Sequence, residues 1–253
     1  MYNSLCYLIF TIITRVSQAV RVALAVMKNQ VTAYPAAVRK LEERFSSYTG
    51  SAHAMMFSNA TSAIEAALFS VGANSASLVA TSGFVIPSSY CSIVSFSSKI
   101  VFIDISEQTL NLDYAILSQL NPKPSILIVV HFYGNPCDMK SIMDWASQNN
   151  VLVIEDCSHA HGAKINGRMV GTWGHIGIFS LQGAKAVSAG EGALAITNCP
   201  EIALKMVAYG HQESFKKFPV SKLTDHQSIP PFGFGKKMRA HPIGAALALV
   251  DLK

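Results

Sequence analysis

The sequence predicts an α/β protein built on a mostly parallel sheet. Short apolar runs with the composition of buried parallel strands recur along the chain, as at residues 99–104, 125–130 and 151–154. Between them lie segments with the apolar spacing of helices, at residues 112–120 and 138–149. Strands that alternate with helices, with connections long enough for parallel crossovers, are typical of α/β proteins. Because half of the 253 residues are hydrophobic and 14% are charged, the chain can bury such a sheet.

The first of the other predicted elements is a helix over residues 35–48. Val38, Leu41 and Phe45 have helical spacing, and Gly50 lies just past the end. Further strands are predicted at residues 52–57, 78–80, 176–180 and 193–197. One further helix is predicted to end near residue 71 and another to span residues 200–209. Residues 210–235 are predicted as a loop.

The charge and the cysteines exclude several functional classes. The formal net charge is only +5, and the sequence has no Lys/Arg-rich run or nucleic-acid motif, so we expect no nucleic-acid partner. The five cysteines are scattered and odd in number, without a CxxC pair. They indicate reduced thiols rather than a disulfide framework or a zinc site, and no metal site is predicted. The glycine patterns of dehydrogenase and kinase phosphate loops are absent from the sequence as well.

The N-terminal segment leaves three alternatives open. Residues 5–13 are apolar, but Arg15 and Arg21 interrupt the run, which is short of the roughly 20 residues of a spanning helix. Residues 23–25, ALA, resemble a signal cleavage site, although a basic start is lacking. An amphipathic or poorly placed helix is favoured over a membrane-associated segment or a signal peptide.

A candidate site lies within residues 151–197. Asp156 follows the strand at residues 151–154, at the carboxyl end where open α/β sheets bind ligands, and Lys185 follows the strand at residues 176–180. A lysine amine can form a Schiff base with the aldehyde of pyridoxal phosphate (PLP). A carboxylate can keep the pyridine nitrogen protonated, so that the ring acts as an electron sink. Alone, this pair is weak support, because such residues are more often turn and surface residues.

A possible anion site lies at residues 58–64, SNATSAI, which precede a predicted helix. The free N–H groups and the macrodipole at a helix start favour an anion. Ordinary N-capping by a serine or threonine is the alternative.

The segments IEDCSHAHGA, GTWGHIGIFSLQGAK and SAGEGALAIT resemble the DegT/StrS-type sugar aminotransferases, and the resemblance runs from about residue 35 to the C-terminus. These are fold-type I PLP enzymes that act on keto sugars, mostly nucleotide-linked, and on related keto cyclitols. The resemblance implies a three-layer PLP-binding large domain over residues 35–253 and a divergent N-terminal segment over residues 1–34. It also implies that the C-terminal small domain of full-length relatives is largely missing.

The resemblance assigns roles to individual residues. Lys185 is implied as the catalytic residue, which holds PLP and moves the proton. Asp156 is expected at the pyridine nitrogen and His159 beside the phenolic oxygen. The other implied cofactor-binding residues are Thr61, Ser62 and Ser180 for the phosphate, Phe84 for stacking on the ring, and Lys237 for the phosphate of the neighbouring subunit's cofactor. His131 is expected to be pocket scaffolding.

The implied function is transamination of a keto sugar or keto cyclitol in polysaccharide or secondary-metabolite sugar biosynthesis. Glutamate or glutamine is the expected amino donor, and a cytoplasmic homodimer is the expected form. Lys185 argues against the sugar 3-dehydration of relatives that have histidine at that position. The alternative is a truncated, non-catalytic or vestigial relative that binds PLP or a full-length relative. If the small domain is missing, PLP binding should survive better than turnover.

Overall fold

Strands and helices alternate along the chain in the computed structural model, as predicted. It describes residues 2–28, 36–96, 98–211 and 236–252, with the side chains of the first helix described from residue 11 onwards. The helices are α1 (Tyr2–Met27), α2 (Ala36–Thr49), α3 (Ala60–Ser70), α4 (Pro87–Val94), α5 (Tyr114–Gln119), α6 (Met139–Gln148), α7 (Pro200–Gly210) and α8 (Pro242–Asp251). The strands are β1 (His53–Phe57), β2 (Leu78–Ser82), β3 (Lys99–Ile103), β4 (Ile126–Val130), β5 (Leu152–Asp156), β6 (Lys164–Ile165), β7 (Arg168–Met169), β8 (Ile176–Ser180) and β9 (Ala193–Thr197).

Seven of these strands form one sheet in the order β1-β9-β8-β5-β4-β2-β3. The neighbours from β8 to β3 pair in parallel, whereas β9 is antiparallel to both β1 and β8. The prediction of a mostly parallel sheet is therefore confirmed. Because β8 and β9 are antiparallel neighbours, a loop without a helix can join them. This connection, residues 181–192, contains Lys185 and is called the Lys185 loop below.

Both faces of the sheet are buried, which gives the three-layer arrangement. In β4, Ile126, Ile128 and Val130 pack into one apolar cluster, and that cluster contains residues of α3 and α7. Leu127 and Val129 point to the opposite face and pack with residues of α5 and α6. A strand with two buried faces must be apolar throughout, which explains the continuous apolar runs in the sequence.

Helix α4 was missed in the sequence analysis. Its sequence, PSSYCSIV, mixes small polar and apolar residues without a strong helical pattern, and Pro87 lies in its first turn. Proline is favoured there because the first helical N–H has no partner within the helix. The predicted loop at residues 210–235 lies outside the described residues, apart from residues 210 and 211.

The N-terminal segment forms a helix, as favoured. Gln18 and Ala25 of α1 are buried, whereas Ile13, Val16 and Val20 are each more than half exposed. Helix α1 packs against α8. Among the helices of the described residues, none is long and apolar enough to cross a membrane.

Candidate active site

Asp156 lies at the carboxyl end of β5, where the parallel strand β8 also ends. Asp156 is 4% exposed and pairs in register with Ile178 of β8. Its Oδ2 accepts a hydrogen bond from the Ser89 hydroxyl at 2.8 Å, and its Oδ1 accepts one from the Ser158 N–H at 3.0 Å. The carboxylate is therefore held in one orientation, with one protein donor on each oxygen.

Lys185 projects from the loop that follows β8. Its backbone N–H donates to the Gln182 carbonyl at 2.8 Å, and the Gly183 N–H donates to the Gly190 carbonyl at 2.9 Å, so the loop is closed at its base. Burial lowers the pKa of the Lys185 amine, while the charge of Asp156 opposes this shift. No side-chain hydrogen bond of Lys185 is found among the residues that the structure describes. A lysine with a lowered pKa and no partner is suited to act as a nucleophile.

His159 lies in the same cavity as Lys185. The cavity has a volume of about 350 Å³, and its lining residues are Tyr133, Ser158, His159, His161, Ala184, Lys185 and Ala186. The ring of His159 stacks on Tyr133, with 5.5 Å between centroids and 19° between planes. Burial lowers the pKa of His159, the charge of Lys185 lowers it further, and the charge of Asp156 opposes them. The structure thus brings the three predicted residues within electrostatic reach of one another.

His161 is a cavity residue to which the sequence analysis gave no role. Burial lowers its pKa to about 4, with further lowering by Lys185 and His159, and a hydrogen bond to the Ser180 backbone raises it. Its Nε2 is buried without a partner in the described ranges, and its ring packs edge-on against Phe179 at 5.5 Å. The sequence feature that could have indicated His161 is its position two residues after His159, in the same segment.

The predicted phosphate site lies at the start of α3. The Asn59 side chain caps this helix by accepting a hydrogen bond from the Ser62 N–H at 2.8 Å, so neither a serine nor a threonine is the cap. The N–H groups of Ala60 and Thr61, in the first turn, make no hydrogen bond to the described part of the chain. The Ser58 hydroxyl donates to that of Ser62 at 3.2 Å. Free donors at a helix start remain available to an anion.

Helix α4 connects the phosphate turn to Asp156. The Ser92 hydroxyl donates to the Thr61 carbonyl at 2.9 Å, while the Ser89 hydroxyl donates to Asp156. Serines three positions apart lie on the same face of a helix. One helix face therefore fixes the distance between the start of α3 and the end of β5. Sequence reasoning missed both serines because it missed the helix.

The remaining predicted residues surround this region. Phe84 is 47% exposed and packs against Phe132 with 4.6 Å between ring centroids, and Phe132 contacts His159. Ser180, at the end of β8, is buried, and its hydroxyl accepts a hydrogen bond from the Gln182 N–H at 3.4 Å.

Lys237 is exposed, next to Met238, whose carbonyl accepts the Ser58 N–H at 2.7 Å. The segment that contains Lys237 thus pairs with the chain directly before the phosphate turn.

A buried cluster of His131, Glu155 and Cys157 lies behind the site. Its potential ligand atoms are within 4.8 Å of one another, an arrangement that could hold a metal ion. However, both His131 nitrogens are used: Nε2 lies 3.0 Å from Glu155, and Nδ1 accepts the Cys137 N–H at 3.1 Å. Burial raises the pKa of the Cys157 thiol, with smaller contributions from nearby acidic groups, which keeps it protonated. The cluster is a closed hydrogen-bonded unit of the protein itself.

The residues at the edge of the sheet fit PLP. The Lys185 amine is unpaired within the described chain, and so is the buried Nδ1 of His159 in the same cavity. With the Asp156 carboxylate and the free N–H groups of α3, a partner is present for each polar part of the cofactor. The fold is that of the fold-type I PLP-dependent transferases.

The chain belongs to the DegT/DnrJ/EryC1/StrS aminotransferase family, whose model matches residues 14–253. Pyridoxal phosphate is the cofactor that membership of this family implies. The predicted family and fold class are therefore confirmed, and residues 14–34, expected to be divergent, are included in the family match.

Known relatives include sugar and cyclitol aminotransferases. The chain is 34% identical over 171 residues to the L-glutamine:2-deoxy-scyllo-inosose aminotransferase of Streptomyces kanamyceticus, covering 67% of this chain and 40% of that protein. It is 33% identical over 162 residues to the GDP-perosamine synthase of Escherichia coli O157:H7, covering 64% of this chain and 44% of that protein. The structure of an aminotransferase from Psychrobacter cryohalolentis matches with a TM-score of 0.84 and 31% identity, over 93% of this chain and 60% of that one. The chain thus spans less than half the length of these two curated relatives.

Proposed function

We propose that this chain is the PLP-binding large domain of an aminotransferase that acts on a keto sugar or a keto cyclitol. The observation that supports this most is the cavity shared by Lys185 and His159 at the edge where Asp156 ends β5. The family match supports the same activity.

Each residue at the sheet edge has a distinct chemical task in this proposal. When bound, PLP supplies an electron sink for the electrons of a breaking C–H bond. The Lys185 amine would hold the cofactor covalently and, once free again, would take the proton from the Cα of the amino donor and deliver it to the cofactor. Its lowered pKa favours the neutral amine that both steps need. Asp156 holds the proton of the pyridine nitrogen, while Ser89 and Ser158 fix the orientation of its carboxylate.

The other predicted residues bind and orient the cofactor. His159 is assigned to the phenolic oxygen, because its Nδ1 is buried and unpaired within the described residues. The N–H groups at the start of α3, with the hydroxyls of Thr61, Ser62 and Ser180, are assigned to the phosphate. Phe84, half exposed beside Phe132, is assigned to the ring face.

The substrate class is proposed from the relatives. They include a GDP-perosamine synthase and an L-glutamine-dependent aminotransferase of a keto cyclitol, 2-deoxy-scyllo-inosose. We therefore propose a keto sugar or keto cyclitol as acceptor and glutamate or glutamine as donor, in a cytoplasmic biosynthetic pathway. An assay of purified protein against a panel of keto sugars and keto cyclitols, with both donors, tests this assignment.

We further propose that the active form is a homodimer in which Lys237 contacts the phosphate of the neighbouring subunit's cofactor. The side chain of Lys237 is exposed, while its segment is anchored by Met238. Light scattering at full PLP occupancy should give a dimer. A monomer that holds a full complement of PLP would rule out the shared site.

Reduction and mapping of the PLP adduct test the central assignment. Borohydride treatment of the PLP-loaded protein should place the pyridoxyl group on Lys185, and the Lys185→Arg variant should remain unlabelled while staying folded. Lys205 of α7, which pairs with Glu201 at 2.8 Å, provides a matched surface control for nonspecific labelling. A label on another lysine, or none, would overturn the role of Lys185. A label on Lys185 without turnover of any acceptor would favour a non-catalytic PLP-binding relative instead.

A further inference from the structure

A hydrogen bond joins the Lys185 loop to the last turn of α8. The Ser188 N–H, three residues after Lys185, donates to Oδ2 of Asp251 at 3.1 Å across a sequence separation of 63 residues. The neighbours of Ser188, Val187 and Ala189, are buried in the same apolar cluster as Leu249 of α8. The loop thus lies directly against this helix, and a carboxylate accepts one of its backbone N–H groups.

The first turn of α8 approaches the same loop. A Cβ atom on Gly244 would lie 2.9 Å from the Ala189 carbonyl oxygen and 3.3 Å from that of Glu191. Gly244 and Asp251 are seven positions apart and so lie on one face of the helix. Helix α8 therefore contacts the loop at both of its ends, and the absence of a side chain at Gly244 permits the close approach.

The other oxygen of Asp251 is joined to α1. Its Oδ1 accepts a hydrogen bond from Nε2 of Gln18 at 3.4 Å, and Gln18 is 7% exposed. The Arg15 guanidinium in turn donates to Oε1 of Gln18 at 3.3 Å. One carboxylate therefore has a donor from the Lys185 loop on one side and a donor from α1 on the other.

We propose that Asp251 is a positioning residue for Lys185. The Asp251 carboxylate holds the Lys185 loop against α8 and connects the loop to α1. It acts through the Ser188 N–H and does not itself touch the reacting groups. The inference deepens the proposed function, because its importance for turnover rests on Lys185 being the catalytic amine. The bond itself is a property of the protein chain alone.

Two physical reasons make this bond matter. A hydrogen bond to a charged acceptor is roughly twice as strong as a neutral one. The loop lies between antiparallel strands and contains no helix, so a few such contacts decide where Lys185 stands. Small displacements of a reacting group reduce rates strongly, because the reacting atoms must meet at a defined distance.

Hydrogen exchange of the Ser188 amide in the PLP-free protein tests the bond directly. In Asp251→Ala, this amide should exchange about tenfold faster than in the wild type, which corresponds to about 1.4 kcal/mol. Asp251→Asn should restore part of the protection, because the amide oxygen can still accept from the Ser188 N–H, as a neutral and weaker acceptor. Gln18→Ala should give a smaller acceleration, because it removes only the α1 side of the connection.

Val250→Ala is the matched control for general damage to α8. Val250 is 5% exposed and lies in the same helix, but it is not part of the apolar cluster that contains Val187 and Ala189. This variant should lower the stability of the protein without a selective effect on Ser188. Unchanged Ser188 exchange in Asp251→Ala, or equal acceleration in Val250→Ala, would overturn the proposal.

The catalytic consequence is measured separately on the PLP-loaded protein. Asp251→Ala should lower the fraction of Lys185 labelled in a short borohydride pulse at limiting PLP, and Asp251→Asn should restore part of it. If wild-type Lys185 takes no label, the proposed function fails while the exchange experiment still decides the role of the bond. If exchange accelerates but labelling of Lys185 is unchanged, the positioning role of Asp251 is refuted.

Discussion

Glu155 and Asp156 are consecutive residues at the end of β5, but their carboxylates lie in different environments. Glu155 is fully buried and accepts three hydrogen bonds, from His131 and from the backbone N–H groups of Gly171 and Gly174. Within the described residues, Asp156 has two donors, Ser89 and the Ser158 N–H, and it is within electrostatic reach of Lys185. Consecutive strand residues point to opposite faces. The Glu155 carboxylate therefore points to the face where protein donors surround it, and the Asp156 carboxylate to the face near Lys185.

The difference separates a structural carboxylate from one available for binding. An ionised carboxylate offers about four acceptor positions. In the Glu155 region, protein donors fill most of them and fix the loop at residues 171–174. In the Asp156 region, positions remain for a protonated nitrogen of a bound molecule. Residue type and burial alone would not distinguish the two.

The largest expected effect is on Asp156. We expect Asp156→Asn to lower transamination by about a hundredfold or more, because an amide cannot keep a pyridine nitrogen protonated, while PLP binding persists. Steady-state rates and the visible absorbance of bound PLP measure the two properties. Transamination close to the wild-type rate would show that the Asp156 carboxylate contributes no more to turnover than the Glu155 carboxylate does.

The converse substitution is Glu155→Gln. It converts an acceptor of three hydrogen bonds into a group with an NH₂ facing N–H donors, so stability should fall by about 2 kcal/mol. The turnover of each folded, PLP-loaded molecule should stay within about twofold of the wild type. Urea denaturation gives the first quantity. A large loss of turnover at unchanged stability would reverse the roles given to the two carboxylates.

Acid should lower the stability of the folded protein through His161. The pKa of His161 is lowered from 6.5 to about 4 in the folded protein, chiefly by burial, so the unfolded chain binds more protons between these values. Stability is therefore complete above pH 6.5 and is lost as the pH falls towards 4, by about 3 kcal/mol. Urea denaturation of wild type and His161→Asn across this range checks it, and the variant should show a shallower slope. Equal slopes would show that His161 does not titrate in this way.

The smallest expected effect is on Ser89. Ser89→Ala removes one donor to Asp156 but leaves the Ser158 N–H, so turnover should fall only about fivefold, and the free energy of unfolding by about 1 kcal/mol. Ser92→Ala on the same helix face is the matched control for the connection to α3. A loss as large as that of Asp156→Asn would indicate that Ser89 does more than orient the carboxylate.

Much of this molecule was predicted from local patterns. The apolar runs predicted at residues 125–130 and 151–154 are β4 and β5, because strands with both faces buried are apolar. The run predicted at residues 99–104 is β3, an edge strand in which Phe102 is half exposed. Asp113 and Asp138, at the starts of two predicted helices, are their N-caps. The proximity of Lys185 and Asp156 was predicted from their positions after strands and from the family motifs around them, and their roles stay predictions. These features depend on short segments, so sequence alone determined them.

Tertiary structure alone decided how distant segments complete the site. Ser89 reaches Asp156 across 67 positions, and Asp251 reaches Ser188 across 63. Nothing local marks either partner, since a serine in a short polar helix and an aspartate at a helix end occur in many settings. The enclosure of Glu155 by protein donors also depends on distant residues, the Gly171 N–H and His131. The physical reason is that hydrogen bonding and burial of a charge are set by everything packed around it, whereas sequence periodicity reports only which face a segment buries.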